Sequence, residues 1–328
     1  MQKIPSDYLF FLTDDFSIWQ HSKGLQIDIK HGYALDDAAR ALVLANKLNL
    51  FELSDIYVSF LDHAVSSKQV VNFFDQRRRP LSLPWSEDAL GQCYWAYSTQ
   101  YHRTGKKKQN VVFIENKVTD FKFTRGWAYA LLGYELNPQI ALQLSHLLIN
   151  EYRANARPNW HWLEPYLTYA NAIIPYSLIK FGAKNDSLSL ETGLEMLDFL
   201  NRVTKIKKKP IAIGNSEWFY KGKEKSIYAQ QPVDIAYQVI ANVEAYQATD
   251  QKSYLQEAQE YFNWFWGNNL LNKPMIDAKN GRCLDGLLKN NLSKNCGAES
   301  IVCFLLAQAE IEPYLFNQKK TAGNHPEI

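Results

Sequence analysis

Apolar residues along most of this chain recur with the period of an α-helix. Leu35, Ala38, Leu42, Ala45 and Leu48 fall at the three- and four-residue steps that place side chains on one helix face. The same spacing joins Val233, Ala236, Ile240 and Val243, and again Ala298, Val302, Leu305 and Ala309. Further helices are predicted over 51–66, 87–103, 108–121, 124–135, 137–154, 164–181, 187–204 and 252–267. The total is about eleven, with ends good to a few residues. No run of regularly spaced strand-like segments interrupts them.

The connections carry a second pattern. Short ones fall near 49–52, 122–124, 137–138, 183–186 and 249–252, and long ones cover 1–33, 67–86, 155–163, 205–229 and 268–296. Short turns join antiparallel helices into hairpins. Long loops then lead to the next hairpin. Helical hairpins in such a series, with every long loop on one side, predict an all-α fold, an (α/α)6 toroid. Its long loops would crowd one end, where binding and catalytic residues concentrate. No linker-like composition splits the chain, so one domain is expected over 1–312, with a frayed tail over 313–328.

Composition narrows the function. The 328 residues are 46% hydrophobic, enough for a large core. Lys and Arg number 36 against 34 Asp and Glu, a net charge of +2, which lacks the basic excess of a nucleic-acid binder. The basic runs 77–79, 106–108 and 205–209 read as solvated loops. No apolar run approaches the ~20 residues of a membrane span, and the N-terminus has no signal-peptide core. A cytoplasmic protein with no membrane partner is expected. Cys93, Cys283, Cys296 and Cys303 form no C-x-x-C pair; Cys93 and Cys303 sit in apolar helices and read as buried thiols. Neither a phosphate-cradling glycine loop nor a G-x-S-x-G motif occurs. His21, His31 and Asp36 match no standard ligand spacing, so neither metal nor cofactor is expected.

Acids recur where long loops meet helices: Asp36 and Asp37, Glu87 and Asp88, Glu164, Asp234 and Glu299, with Asp285 inside the last loop. In a toroid these positions would ring one opening. Acids also stabilise helix N-termini, by about 0.3–1 kcal/mol each, but a cap needs only one, and two of these junctions carry pairs. Tryptophan placement points further. Trp19, Trp85, Trp160, Trp162 and Trp218 lie in long loops and Trp127 opens a helix, whereas Trp95, Trp264 and Trp266 fall inside helical stretches. A flat indole covers the C–H face of a sugar ring, and carboxylates and amides hold its hydroxyls. Arg40, Asn171, Gln230 and Gln231 are the nearby polar candidates.

The run from Gly32 to Arg40 (GYALDDAAR), following Trp19-Gln20-His21, resembles a six-hairpin-glycosidase-like bacterial family found alone or fused to glycosyltransferases. Ser86 to Gln92 (SEDALGQ), Trp160 to Ala172 (WHWLEPYLTYANA), Gln230-Gln231-Pro232, Asp285-Gly286-Leu287 and Asn295 to Ser300 (NCGAES) match it in order. The resemblance implies the toroid and a carbohydrate ligand. The chain departs from the family's usual Asn at Ala38, Arg at Gln92 and Asp at Ala170, which removes polar groups from the implied pocket.

Three functions fit. A glycoside hydrolase needs a carboxylic acid to protonate the leaving oxygen and a carboxylate to activate water or attack carbon. Asp37, Asp88, Glu164 and Glu299 are the catalytic candidates. Trp19, His21, Asp36, Arg40, Trp85, Glu87, Trp127, His161, Trp162, Asn171, Gln231, Asp234 and Asp285 are the substrate-binding ones. A sugar epimerase or lyase would instead draw on His21, His31, His161, Tyr33, Tyr166 or Tyr228. A non-catalytic oligosaccharide-binding module partnering a glycosyltransferase would keep the aromatics and dispense with the chemistry.

Overall fold

A computed structural model describes residues 2–67 and 69–316. Among these residues it contains twelve α-helices: α1 (Asp7–Leu12), α2 (Leu35–Leu48), α3 (Phe51–Ala64), α4 (Glu87–Thr104), α5 (Gln109–Val118), α6 (Thr124–Leu131), α7 (Pro138–Asn155), α8 (Ile173–Asn185), α9 (Ser187–Val203), α10 (Pro232–Thr249), α11 (Lys252–Phe265) and α12 (Ala298–Phe316). The even-numbered helices close a ring: α2 packs on α4, α4 on α6, α6 on α8, α8 on α10, α10 on α12 and α12 back on α2. Each odd-numbered helix packs outside an inner one, α3 on α2, α5 on α4, α7 on α6, α9 on α8 and α11 on α10. The sixth pair joins the two chain ends, α1 against α12. The fold is the (α/α)6 toroid.

Burial explains the two rings. An inner helix touches two inner neighbours and an outer partner, so it is apolar nearly all round; α10 is buried from Pro232 through Val243. Helix α11 buries Tyr254, Ala258, Tyr261 and Phe265 along one face only. The α8–α9 hairpin is close enough that a Cβ on Gly182 would lie 2.3 Å from the Leu190 nitrogen, so only glycine fits there. Gln308 of α12 clamps the N-terminal segment, accepting from the Ile4 amide and donating to its carbonyl, both at 2.8 Å. All four cysteines are buried free thiols.

Four expectations change. Helix α1 lies within the predicted first loop; its six residues, with Tyr8, Leu9 and Leu12 buried, are too few to show a period. The helix predicted over 164–181 begins only at Ile173. Residues 166–167 instead pair with 219–220, and Ala170 turns the chain with φ of 47°. The short link at 122–124 does not close a hairpin. The α4–α5 hairpin closes across 105–108, and a short link over 119–123 leads into α6. Long loops therefore precede α2, α4, α8, α10 and α12, but not α6. Helix α12 extends through Pro313 to Phe316, so the expected tail starts inside it, and the rest of that tail lies outside the described residues. No helix among the described residues is long and apolar enough to cross a membrane.

Candidate active site at the N-terminal mouth

All six inner helices run in one direction, so their N-termini meet at one mouth. A cavity of about 180 Å³ opens there. Asp36 and Arg40 reach it from α2, Asp88 and Gln92 from α4, Tyr129 from α6, and Glu299 from α12. Asn72 and Phe73 of the loop before α4, and Tyr169 and Ala170 of the loop before α8, complete its wall.

Arg40 organises the floor. It is 2% exposed, and its guanidinium donates to Glu299 Oε2 at 2.7 Å, Asp36 Oδ2 at 2.9 Å and Asp37 Oδ1 at 3.1 Å. Burial works against its charge, but these carboxylates outweigh burial and raise its pKa above the usual arginine value. Asp37 lies deeper. Burial, then the neighbouring charge of Asp36, push its pKa well above the usual carboxylate value despite Arg40. Asp37 therefore supports Arg40 from beneath and does not line the cavity.

Asp88 is set differently. It has no cation in direct contact among the described residues; it accepts a 2.7 Å hydrogen bond from the Tyr169 hydroxyl. Burial raises its pKa, and the Tyr169 bond and the more distant Arg125 charge only partly offset that. Arg125, a cation inside the otherwise apolar α6, holds the Tyr169 loop. Its Nε donates to the Tyr169 carbonyl at 2.8 Å, its Nη2 donates to Thr168 Oγ1 at 2.6 Å, and its guanidinium lies 4.9 Å from the Tyr169 ring centre.

The other sequence candidates scatter by role. Glu164 sits behind the wall, accepting from Thr124 Oγ1 at 2.7 Å and Arg125 Nη1 at 3.4 Å. Glu87 accepts through Oε2 from the amides of Lys122 and Phe123, both at 2.9 Å, so it caps the approach to α6. Asp234 is buried beside the loop before α8, with Oδ1 lacking a partner. Burial, then repulsion from Glu299, push its pKa up to about 8, against the pull of the Ala170 and Asn171 amides. Asn171 spends its amide on Thr168 and Arg125, holding the turn. Gln231 flanks the start of α10 without lining the cavity, and buried Gln230 is spent on Ala212 and Trp264.

Three tryptophans are corrected from rim to core. Trp127 donates to the Phe121 carbonyl at 2.8 Å and Trp160 to the Glu164 carbonyl at 2.8 Å, both buried, while Trp162 is fully buried and stacks on Phe199. The loop carrying Trp160 and Trp162 turns inward, where Phe199 of helix α9 offers an apolar floor, and Trp127 faces inward from helix α6. Trp19 packs half-buried on Tyr33 with ring centres 4.2 Å apart. Trp85 stays exposed at the mouth. His21 and His31 stack edge to face at 4.5 Å, with His21 Nδ1 3.9 Å from Asp285, whose carboxylate also accepts from the Gly297 amide. They stand beside the start of α12, outside the cavity lining. His161 faces Pro158 and Tyr152 on the outer ring.

Sequence reasoning did not pick out Arg125, Tyr169 or Asn72. The lone cation in an apolar helix could have marked Arg125; nothing local marks the others. Among the described residues no group of three or more His, Cys, Asp or Glu side chains is placed to hold a metal ion.

No protein-family model matches the chain, and no curated protein matches it. Solved structures do. Cellobiose 2-epimerase from Bacillus thermoamylovorans B4167 superposes with a TM-score of 0.73 at 11% identity, over 94% of this chain and 96% of that one. A D-mannose isomerase gives 0.70 at 13% identity, over 94% and 95%. The GH76A α-1,6-mannanase from Salegentibacter sp. HEL1_6 gives 0.64 at 10% identity, over 93% and 96%. The chain thus shares the six-hairpin glycosidase-like toroid with these structures, at identities that speak for the fold alone.

Proposed function

We propose that this chain is a carbohydrate-active enzyme, a glycoside hydrolase with Asp88 as general acid and Glu299 as general base. The observation that carries the reading is two carboxyl groups in unlike surroundings on one cavity. Asp88 is partly buried, its pKa raised, and bound only to a tyrosine hydroxyl. Glu299 is ion-paired through Oε2 with Arg40. A carboxyl that favours its proton, facing the same cavity as a carboxylate held in an ion pair, is how one site can present an acid and a base together. Asp88 would pass its proton to the glycosidic oxygen as the C–O bond breaks, while Glu299 takes a proton from the attacking water. The fold neighbours, which include a mannanase, support a sugar as substrate.

The cavity of about 180 Å³ is smaller than the ~300 Å³ at which ordinary ligand pockets begin. It suits one sugar ring, so the rest of an oligosaccharide would lie outside. Of the family-pattern departures, Gln92 and Ala170 face this cavity, and Ala38 is buried in the core. A screen of manno-, gluco-, galacto- and uronate-oligosaccharides for new reducing ends tests the proposal. Cleavage by the wild type that disappears in Glu299→Gln supports it, and no cleavage of any substrate sinks it.

A second reading rests on the His21–His31 pair backed by Asp285. Imidazoles beside a carboxylate suit proton transfer in an epimerase or isomerase. Product with inverted C2 that vanishes in His21→Ala would establish it in place of hydrolysis. Saturable sugar binding with no turnover of either kind would leave the binding-module role.

A further inference from the structure

The wall of the cavity on the Asp88 side continues outward into a strap, residues 80–86, of sequence Pro-Leu-Ser-Leu-Pro-Trp-Ser. Prolines at both 80 and 84 restrict its backbone. It is tied to the cavity wall along its length. The Leu81 amide donates to the Phe73 carbonyl at 2.9 Å, and Asn72 Nδ2 donates to the Pro84 carbonyl at 3.2 Å. Ser86 then caps α4, accepting from the Ala89 amide at 3.4 Å. Asn72, Phe73 and Ser86 are themselves cavity-lining residues.

This strap exposes Leu81 (40%), Leu83 (52%) and Trp85 (40%). Phe123, 66% exposed, stands next to it, since Glu87 accepts the Phe123 amide two residues beyond Trp85. Phe121 underlies Trp85, with ring centres 6.3 Å apart. Single exposed apolar residues need no explanation. Several large ones together, held against a pocket wall, mark a surface that something covers. Leucines neither stack on a sugar face nor bond its hydroxyls. What suits them is hydrocarbon.

Their position says which part of a ligand that is. The general acid stands beside the leaving-group oxygen. Asp88 follows the strap, and Asn72, Phe73 and Ser86 tie that strap to the same cavity wall, so on the hydrolase reading the leaving group would pass on the side of Leu81, Leu83, Trp85 and Phe123. We infer that this apolar strap is a binding site for a hydrophobic aglycone, so that the substrate class is a glycoside of an alkyl or lipid-like alcohol. The inference rests on the hydrolase reading for the direction in which the aglycone points. The apolar site itself does not depend on cleavage.

The test compares methyl with n-octyl glucosides and mannosides, the octyl compounds below micelle formation. Chain length leaves the acidity of these alcohols nearly unchanged, so it reports binding. The octyl compound should bind at least about tenfold tighter than its methyl counterpart, the worth of two methylenes taken out of water. The double variant Leu83→Ser/Phe123→Ser should erase that gain and leave methyl glycoside affinity within about twofold. Both residues are exposed, and a circular-dichroism melt verifies that the variant folds. Val112→Ser, at an exposed apolar position on the outer helix α5, controls for detergent-like adhesion and should retain the gain. Equal affinity for methyl and octyl compounds, a gain that survives the double variant, or a gain lost equally in Val112→Ser overturns the inference. Cleavage is scored separately. An octyl preference without turnover upholds the apolar site and counts against the hydrolase reading alone.

Discussion

The toroid has two mouths, and they differ in the way that matters for chemistry. The larger cavity, about 500 Å³, lies at the far mouth, where the inner helices end. Most of its cations each have their own acid: Lys47 has Glu310 at 2.8 Å, Lys180 has Glu244 at 3.0 Å and Arg103 has Asp55 at 3.5 Å, while Lys184 forms no ion pair among the described residues. Cations near helix C-termini are what the helix dipole favours. At the N-terminal mouth the cavity is smaller and the charges do not match. Asp36, Asp37 and Glu299 share the one guanidinium of Arg40, and Asp88 has only a tyrosine. The dipole rationalises acids at this end, but not ones bonded to an arginine and a phenol in place of helix amides. Unmatched charge in a buried setting shifts proton affinities, and that, more than volume, locates chemistry.

The sharpest contrast is in turnover. Asp88→Asn should lower kcat by about 10²–10⁴-fold, the usual worth of a general acid. Glu135→Gln at the far mouth should leave kcat unchanged. Equal losses would erase the distinction between the mouths. In stability, Arg40→Leu strands Asp37 without its buried partner and should cost about 3–5 kcal/mol by urea titration, whereas Lys180→Met, losing a partly exposed pair, should cost about 1 kcal/mol. Similar values would mean that the N-terminal cluster is no more tightly coupled than the far one.

Asp234 gives a pH signature. Its pKa is about 8 in the fold and near the ordinary carboxylate value when unfolded. Between those values the folded state binds the extra proton, so stability falls as pH rises from about 4 to about 8. Asp234→Asn should remove that decline, raising the melting temperature by a few degrees at pH 8 and little at pH 4; a parallel shift at both would contradict it. The smallest effect is expected from Tyr169→Phe. The lost hydroxyl held the Asp88 pKa down, so the basic limb of the pH–rate profile should move upward by less than about one unit. An unmoved limb would remove Asp88 as the titrating acid.

Much of the ring was legible in one sequence because inner helices repeat apolar residues at a fixed period over many turns. Helix α1 was not, because its six residues hold fewer than two turns. The segment after Glu164 looked helical until its pairing with residues 219–220, remote in sequence, drew it into a loop. Acids at the loop–helix junctions were visible too, and Asp36, Asp88 and Glu299 do face one cavity. Tryptophan placement misled at Trp160 and Trp162, since a loop residue can turn into the core when a neighbouring helix offers an apolar floor, and at Trp127, which the first turns of helix α6 aim inward.

The sequence by itself determined that the chain forms helical hairpins in series and that carboxylates gather where several of them begin. Those are consequences of local periodicity and of residue type. Only the tertiary structure decided which carboxylates share Arg40, which one is left to Tyr169, and which are used up on backbone amides. Those choices depend on contacts between segments as distant as Arg40 and Glu299 and on how much water each carboxylate loses, and neither is written in the spacing of residues along the chain.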